Sequence, residues 1–388
     1  MRLATILALL PLPALAQVEQ GPPNAPYQPA WENQTRAPEL PATAVQATPF
    51  AGSLEHPWGI ARLPDGSFLV TERPGRMRLV SPDGTLSDPI AGLPEVDARE
   101  QGGLLDVAVS PGFAQDRTVF WTYAKPMGQG LVATAAARGT LSEDGTRLTD
   151  VKDIFVQQPP SADPMHYGSR VVPDGQGHVF VTTGEHYDPE ERWRAQDLST
   201  TWGKVVRVNV DGTVPGDNPF VQGGGRPEVW TLGHRNVQGA AIDGQGRLWT
   251  IEHGPMGGDE LNLSVPGTNY GWAEVSYGLN YDGTPVGTGQ PRAEGFAEPN
   301  YYWDPVIAPG GMDFYGGTLF GDWRGDLLIG SLNPGGLVRI RLDGERVAGE
   351  KRMLPDLGRV RDVEELPDGS LLLLTDFEDG GIVRVTPG

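Results

Sequence analysis

Between Gly233 and Trp272 the chain gathers His234, Arg235, Asn236 and Gln238 in one short turn. The segment His253-Gly254-Pro255-Met256-Gly257-Gly258-Asp259-Glu260 follows soon after. A guanidinium and two carboxamides in one turn suit the reading of carboxylate and carbonyl oxygens, the arginine through its planar fork of donors. The second segment offers main-chain carbonyls on a flexible glycine turn together with two carboxylates, and calcium takes hard oxygen ligands of both kinds. Its spacing is not that of an EF-hand loop. The expected arrangement is a basic head gripping an anionic, oxygen-rich cofactor and a tail holding calcium beside it; the alternative for the head is a solvated turn. His166, in the run Met165 to Arg170, is a candidate general base, because an imidazole titrates near neutrality and can take a hydroxyl proton at working pH. Glu185 ends a strand further on, where a carboxylate could orient and stabilise that imidazole. The alternative for His166 is a loop histidine satisfied by backbone. His56 and His178 read as surface positions, and His186 is undecided.

These groups need a scaffold, and one pattern recurs: a short apolar strand, a Pro-Asp-Gly-like turn, and a second strand of branched or aromatic residues. It appears at 59–72, 169–183, 239–252 and 362–376, with looser copies at 106–124 and 316–332. Asp-Gly between apolar alternations is a strong hairpin signal, since the turn needs residues that tolerate positive φ. Turns near 65, 115, 174, 244, 325 and 368 recur at intervals of roughly 60 residues, longer than the roughly 40-residue period of WD40 arrays. The expectation is an all-β chain folded as a six-bladed β-propeller over residues 49–388, whose closure leaves only short sheet edges. Two β-sandwiches are the alternative. Residues 17–48, rich in Pro, Ala and Gln, read as an N-terminal arm lying against the fold.

A formal charge of -20 and a pI near 4.6 disfavour nucleic acid and anionic lipid as partners and suit cations. Residues 1–16, with Arg2, an apolar run and Ala14-Leu15-Ala16, have the pattern of a secretory signal peptide, so a periplasmic or secreted location is expected. No later stretch is apolar enough to span a membrane. The absence of cysteine removes disulfides and thiolate metal sites. A GxSxG elbow, a P-loop, an HExxH helix and a complete GxGxxG are also absent, which weighs against serine hydrolases, P-loop enzymes and Rossmann dehydrogenases.

Several motifs together resemble the soluble, pyrroloquinoline-quinone (PQQ)-dependent sugar dehydrogenases of the glucose/sorbosone or aldose sugar dehydrogenase family. They are HYGSR (166–170), GKVVRVNVDGTVPGDNPF (203–220), LGHRNVQG (232–239), EHGPMGGDELNL (252–263), NYGW (269–272) and RVRDV (359–363). The resemblance runs from about residue 50 to 388 and implies a six-bladed propeller with the quinone on its top face. Carried over residue by residue, it makes His166 the base, Glu185 its acidic partner and Arg235 a catalytic and cofactor-contacting cation. It adds Asn236, Gln238, Arg359 and Arg361 as cofactor contacts, with Gln101 and Trp303 in the sugar pocket. Gly254 and Pro255 would hold the catalytic calcium by their carbonyls, and Glu260 and Tyr270 a further structural calcium. Asn333 stands where glucose-type members carry a cofactor-contacting lysine, which bears on cofactor affinity, and Met165 where they have aspartate, which loosens the inference to glucose; His253, where they have glutamine, and the short loops point to the broader aldose branch. The implied activity is oxidation of an aldose at its anomeric hydroxyl to the aldonolactone, by hydride transfer to PQQ with calcium assistance. Electrons then pass to a dye, quinone or cytochrome. A calcium-dependent propeller lactonase, or a carbohydrate-binding propeller stacking sugars on Trp272, Tyr301, Tyr302 and Trp303, are the alternatives.

Overall fold

The computed structural model describes residues 16–388. Its repeating unit follows from the turns. In Pro64-Asp65-Gly66-Ser67 the Asp65 carboxylate accepts from the Ser67 amide at 2.9 Å, and Gly66 sits at φ 87°, a region closed to most side chains. Gly369 plays the same part at φ 82°. The strands on either side then pair in antiparallel register, for example Ala240↔Thr250 and Ile242↔Leu248.

Six antiparallel sheets result. Blade one is Pro57–Arg62, Phe68–Glu72 and Arg76–Val80; blade two runs from Leu104–Val109 to Leu148–Val156, and blade three from Gly168–Pro173 to Val229–Leu232. Blade four comprises Val237–Ile242, Leu248–Glu252, Asp259–Leu263 and Tyr301–Trp303. Blade five runs from Pro309–Phe314 to Arg346–Met353. Blade six joins Val360–Glu365, Leu371–Thr375 and Gly380–Pro387 to Val45–Leu54, which pairs with the last strand from Val45↔Pro387 onward. The two ends of the propeller thus share one sheet and close the ring. The propeller accordingly begins at Val45, ahead of the expected boundary at 49.

The first strand of each blade packs against the first strands of both neighbours, so these six strands surround the axis. Apolar wedges fill every interface: Leu69 with Trp121 between blades one and two, Trp249 with Ile329 between four and five, Val70 with Leu374 between six and one. A closed ring of wedges excludes two sandwiches. The axis is narrow. A Cβ at Gly311 would lie 1.7 Å from Asp362 Oδ1, so glycine there makes room for the side chains that fill the channel. Chief among these is Arg170, paired with Asp106 at 2.8 Å and Asp362 at 3.0 Å and lying 4.4 Å from the Trp58 ring.

The sixth expected hairpin is displaced. Its strands are Pro309–Phe314 and Leu327–Ser331, and the apolar residues read as its first strand, around Phe320, lie in the connecting loop. Phe320 stacks on Trp323 at 4.3 Å and is buried with it in the wedge between blades five and six, so loop anchors imitate a strand pattern. The arm lies on blades four and five: Gln20 donates to Glu350 at 3.1 Å, the Asn24 and Ala25 amides to Asp304 at 2.9 Å, and Arg346 covers the Trp31 ring at 3.5 Å. The leader expected over 1–16 falls outside the described residues except for Ala16. Among the described residues no helix is long and apolar enough to cross a membrane.

Candidate active site

Every first strand starts at one face of the disc and ends in its hairpin turn at the other. The residues just ahead of these strands, among them Gln101, His166, Asn236, Ala308 and Arg359, therefore meet at one mouth of the channel. They line or adjoin a cavity of about 220 Å³, large against the ~30 Å³ share of a water molecule, with a second hollow of about 290 Å³ beside it.

His166 stands between the two. Its Nδ1 lies 2.9 Å from Glu185 Oε1, and both residues are buried. The Tyr187 amide holds the other Glu185 oxygen at 2.7 Å, and the Tyr187 ring packs edge-on to the imidazole with centroids 5.0 Å apart. Gln101 Oε1 accepts from the His166 amide at 3.0 Å. The backbone is unusual here: His166, Ser169, His186 and Tyr187 have φ of 45°, 87°, 62° and 69°. Left-handed non-glycine residues cost energy and cluster where geometry is imposed for function. Burial, and next the positive field of Arg235, hold His166 well below the ordinary histidine value, so its imidazole is neutral at neutral pH. Burial pushes Glu185 up to about 7, against the pull of Arg235. With Nδ1–H donated to the carboxylate, the Nε2 lone pair is left to accept a proton.

The cavity wall is cationic. Arg73, Arg359 and Arg361 line it, and among the described residues one carboxylate pairs with the last two: Asp376 accepts from Arg359 at 3.0 Å and from Arg361 Nε at 3.1 Å. Desolvation would raise Asp376, yet Arg361 and Arg359 hold it far below the usual carboxylate range. Gln238 ties this wall to the segment that carries His166, taking Arg361 Nη1 at 2.7 Å and giving its amide to Gly168 O at 3.0 Å; Asn236 Oδ1 accepts from the Gly168 amide at 3.0 Å. His253 also lines the cavity, pushed down to about 3 by burial and held neutral against the Pro309 carbonyl at 2.7 Å.

Arg235 is buried with its amide 2.6 Å from Glu252 Oε2 and its Nη1 2.8 Å from Gly254 O. Behind it the Gly254–Gly258 turn is so tight that a Cβ at Gly254 would fall 2.3 Å from the carbonyls of Gly257 and Gly258. The two carboxylates expected to serve a cation here divide. Asp259 is taken by main-chain amides, Gly254 at 2.8 Å, Ile307 at 2.8 Å and Ala308 at 2.7 Å, so it shapes the turn rather than offering free oxygens. Among the described residues no three His, Cys, Asp or Glu side chains come together as a metal site. An ion beside Arg235 would thus depend on carbonyls such as those of Gly254 and Pro255, which calcium accepts. Glu260 instead pairs across the sheet with Glu252, and burial, reinforced by Glu252, raises it well above the usual range. Asn262 Nδ2 lies 3.4 Å from each carboxylate while its Oδ1 is buried with no partner, so two carboxylates and an orphaned carbonyl oxygen meet in a place suited to a cation. The Tyr270 hydroxyl already bonds Leu263 O and the Val265 amide, leaving its main-chain carbonyl as the group that could join them.

Two sequence expectations shift. Trp303, expected in the sugar pocket, is fully buried between blades four and five with Nε1 on Glu350 at 3.2 Å, because it closes an outer strand and faces the next blade. Asn333 is exposed on the rim beside Leu332, which lines the cavity. Arg73 and Trp58, also in the lining, went unread. A signal for Arg73 was present: it follows Glu72 at the end of a second strand, as His253 follows Glu252 and Asp376 follows Thr375. Superposing the six hairpins by those strand ends brings the three to one level.

Comparison with known proteins places the chain in a family. The family model described as glucose / sorbosone dehydrogenase matches residues 54–384. The aldose sugar dehydrogenase YliI of Escherichia coli K12 is 40% identical over 353 residues, covering 89% of this chain and 94% of that protein. A crystal structure of a glucose dehydrogenase superposes with a TM-score of 0.85 at 45% identity, over 88% of this chain and 100% of that one. The PQQ-bound form of the aldose sugar dehydrogenase of Streptomyces coelicolor superposes with a TM-score of 0.73 at 28% identity, over 89% of this chain and 99% of that one. A six-bladed propeller carrying these motifs in this order, matched along most of its length, belongs to the glucose/sorbosone dehydrogenase family.

Proposed function

We propose that the chain oxidises the anomeric hydroxyl of aldose sugars to aldonolactones, with PQQ in the cationic cavity and calcium beside Arg235, and that it works outside the cytoplasm. The observation that carries this reading is a neutral imidazole oriented by a carboxylate next to a wall of three guanidinium groups balanced by one carboxylate. A wall with that charge excess asks for a polyanion, and PQQ carries three carboxylates. The Streptomyces coelicolor relative is described as PQQ-bound. Bound there, the quinone supplies the two-electron oxidant and calcium on the Gly254 and Pro255 carbonyls supplies Lewis acidity. The protein's own part is acid–base and positional. His166 Nε2 takes the hydroxyl proton, Glu185 fixes the ring through Nδ1, and Gln101 pins the His166 backbone. Arg235 presents positive charge where negative charge develops. A lactonase acting on an uncharged lactone has no use for so cationic a wall.

Reconstitution of metal-free protein with PQQ and calcium should give aldose-dependent dye reduction that needs the quinone. No reduction with any aldose would end this reading. Removing calcium with excess chelator and dialysis should abolish activity and lower the melting temperature, with calcium restoring both by mass action. Full activity in chelator would exclude the ion.

The His166–Glu185 pair also sets a pH dependence. A proton added to Glu185 would be donated to Nδ1, forcing the ring into the tautomer that carries its proton on Nε2, which cannot act as base. Activity should therefore fall as pH drops through about 7, the value to which burial raises Glu185. Glu185→Gln keeps an acceptor for Nδ1–H but cannot titrate, so its acid limb should move down toward the depressed value of His166 itself. A limb unmoved in the kcat/KM profile of that variant would show that the pair does not control the base.

A further inference from the structure

We propose that Arg73 is a third cofactor-binding cation, directing its free guanidinium N–H groups at a carboxylate of the anionic ligand in the cavity. This rests on the PQQ reading above. Three observations lead to it. Arg73 lines the same cavity as Arg359 and Arg361, and among the described residues no carboxylate comes within ion-pair distance of it, whereas both partners hold Asp376. Its bonds run to the main chain: Nε donates to Gly102 O at 3.0 Å and Nη2 to the Glu100 carbonyl. Those two use two of five guanidinium N–H groups and leave three. Finally, the charges around it are unbalanced. Burial lowers the Arg73 proton affinity, Asp376 and Glu100 raise it, and Arg359 lowers it further, so three cations share one close anion. Crowding like charges in a partly desolvated wall is unfavourable unless a ligand neutralises them.

The two carbonyls that Arg73 holds flank Gln101, whose side chain fixes the His166 amide. The anchored guanidinium is therefore preorganised, and an arriving carboxylate meets donors already in place. Asn333, on another part of the rim, brings no charge.

The test is titration of apo-protein with PQQ, followed by absorbance or tryptophan quenching at low and high ionic strength, with melting temperatures recorded alongside. Arg73→Gln should weaken the dissociation constant about 10- to 100-fold at low salt, the scale of a charge-assisted hydrogen bond. The difference from wild type should shrink at high salt as screening grows. Arg73→Lys, which keeps the charge but cannot grip both carbonyls, should retain most of the affinity. If Arg73 only orders the loop, both variants weaken binding alike and independently of salt, and the proposal is overturned; it is equally overturned if Arg73→Gln binds as tightly as wild type. A wild-type protein that takes up no quinone at all would instead remove the PQQ reading, and this inference with it.

Discussion

Replacing His166 by asparagine is expected to lower kcat by about 10²–10⁴-fold, the range that a positioned general base contributes, while quinone uptake stays largely intact. The choice of variant follows from the backbone. His166 sits at φ 45°, a conformation asparagine tolerates better than alanine does. His166→Ala therefore mixes loss of the base with strain, and agreement between the two variants isolates the chemistry. Neither removes a contact to the cationic wall, since among the described residues the His166 side chain bonds Glu185 alone and its main-chain bonds to Gln101 and His186 remain in both variants. The measurement is steady-state dye reduction beside a quinone titration. A kcat within tenfold of wild type in His166→Asn would mean that another group takes the proton and that the histidine serves to hold Glu185.

Arg170→Met should be the most damaging single change to stability. Arg170 closes the channel beneath the cavity, with Asp106 at 2.8 Å, Asp362 at 3.0 Å and the Gln238 carbonyl at 2.7 Å, all buried. Even beside Arg170, burial pushes Asp106 up to about 6. Removing the cation leaves two carboxylates facing each other without compensation, and breaking a buried pair in this way costs about 3–5 kcal/mol. The loss should depend on pH in a defined direction. Asp106, already raised by burial, loses the cation that opposes the rise, so its penalty is complete above its folded value and fades as pH falls toward its unfolded one. Neutralising the cluster in Arg170→Met/Asp106→Asn/Asp362→Asn should recover most of the loss, because Asn Oδ1 can still accept from the Val171 and Ile60 amides that Asp106 and Asp362 now hold. Denaturant unfolding measures this; if unfolding is irreversible, inactivation rates at fixed temperature do. A loss under about 1 kcal/mol in the single variant, or no recovery in the triple one, would show that channel packing and not charge pairing dominates.

Much of the site was legible because its residues come in short local runs. An Arg, an Asn and a Gln within one turn, or a glycine-rich turn ahead of Asp259 and Glu260, declare their chemistry wherever the turn lies. The hairpins were legible for a similar reason: an Asp-Gly pair that caps its own turn needs no tertiary help, and four of the six were placed on such signals, with a fifth, at 106–124, placed on a looser Pro-Gly version. The sixth misled because Phe320 and Trp323 show a strand-like apolar pattern but anchor a loop in the wedge between blades.

What the chain determined by itself, then, is the type and order of its elements and the presence of a candidate histidine, a cationic set and a carbonyl-rich turn, all properties of neighbouring residues. Ring closure decided the rest. Strand periodicity of two states that Trp303 points to one side of its sheet, not whether that side meets solvent or the next blade. It states that Asp259 is acidic, not that the amides of Ile307 and Ala308 will arrive to occupy it. Hairpin register puts Arg73 at the level of His253 and Asp376, but not in one wall with Arg359, far away in the chain. Those outcomes depend on which strand ends are brought to the same mouth, and only the closed circle of six blades brings them there.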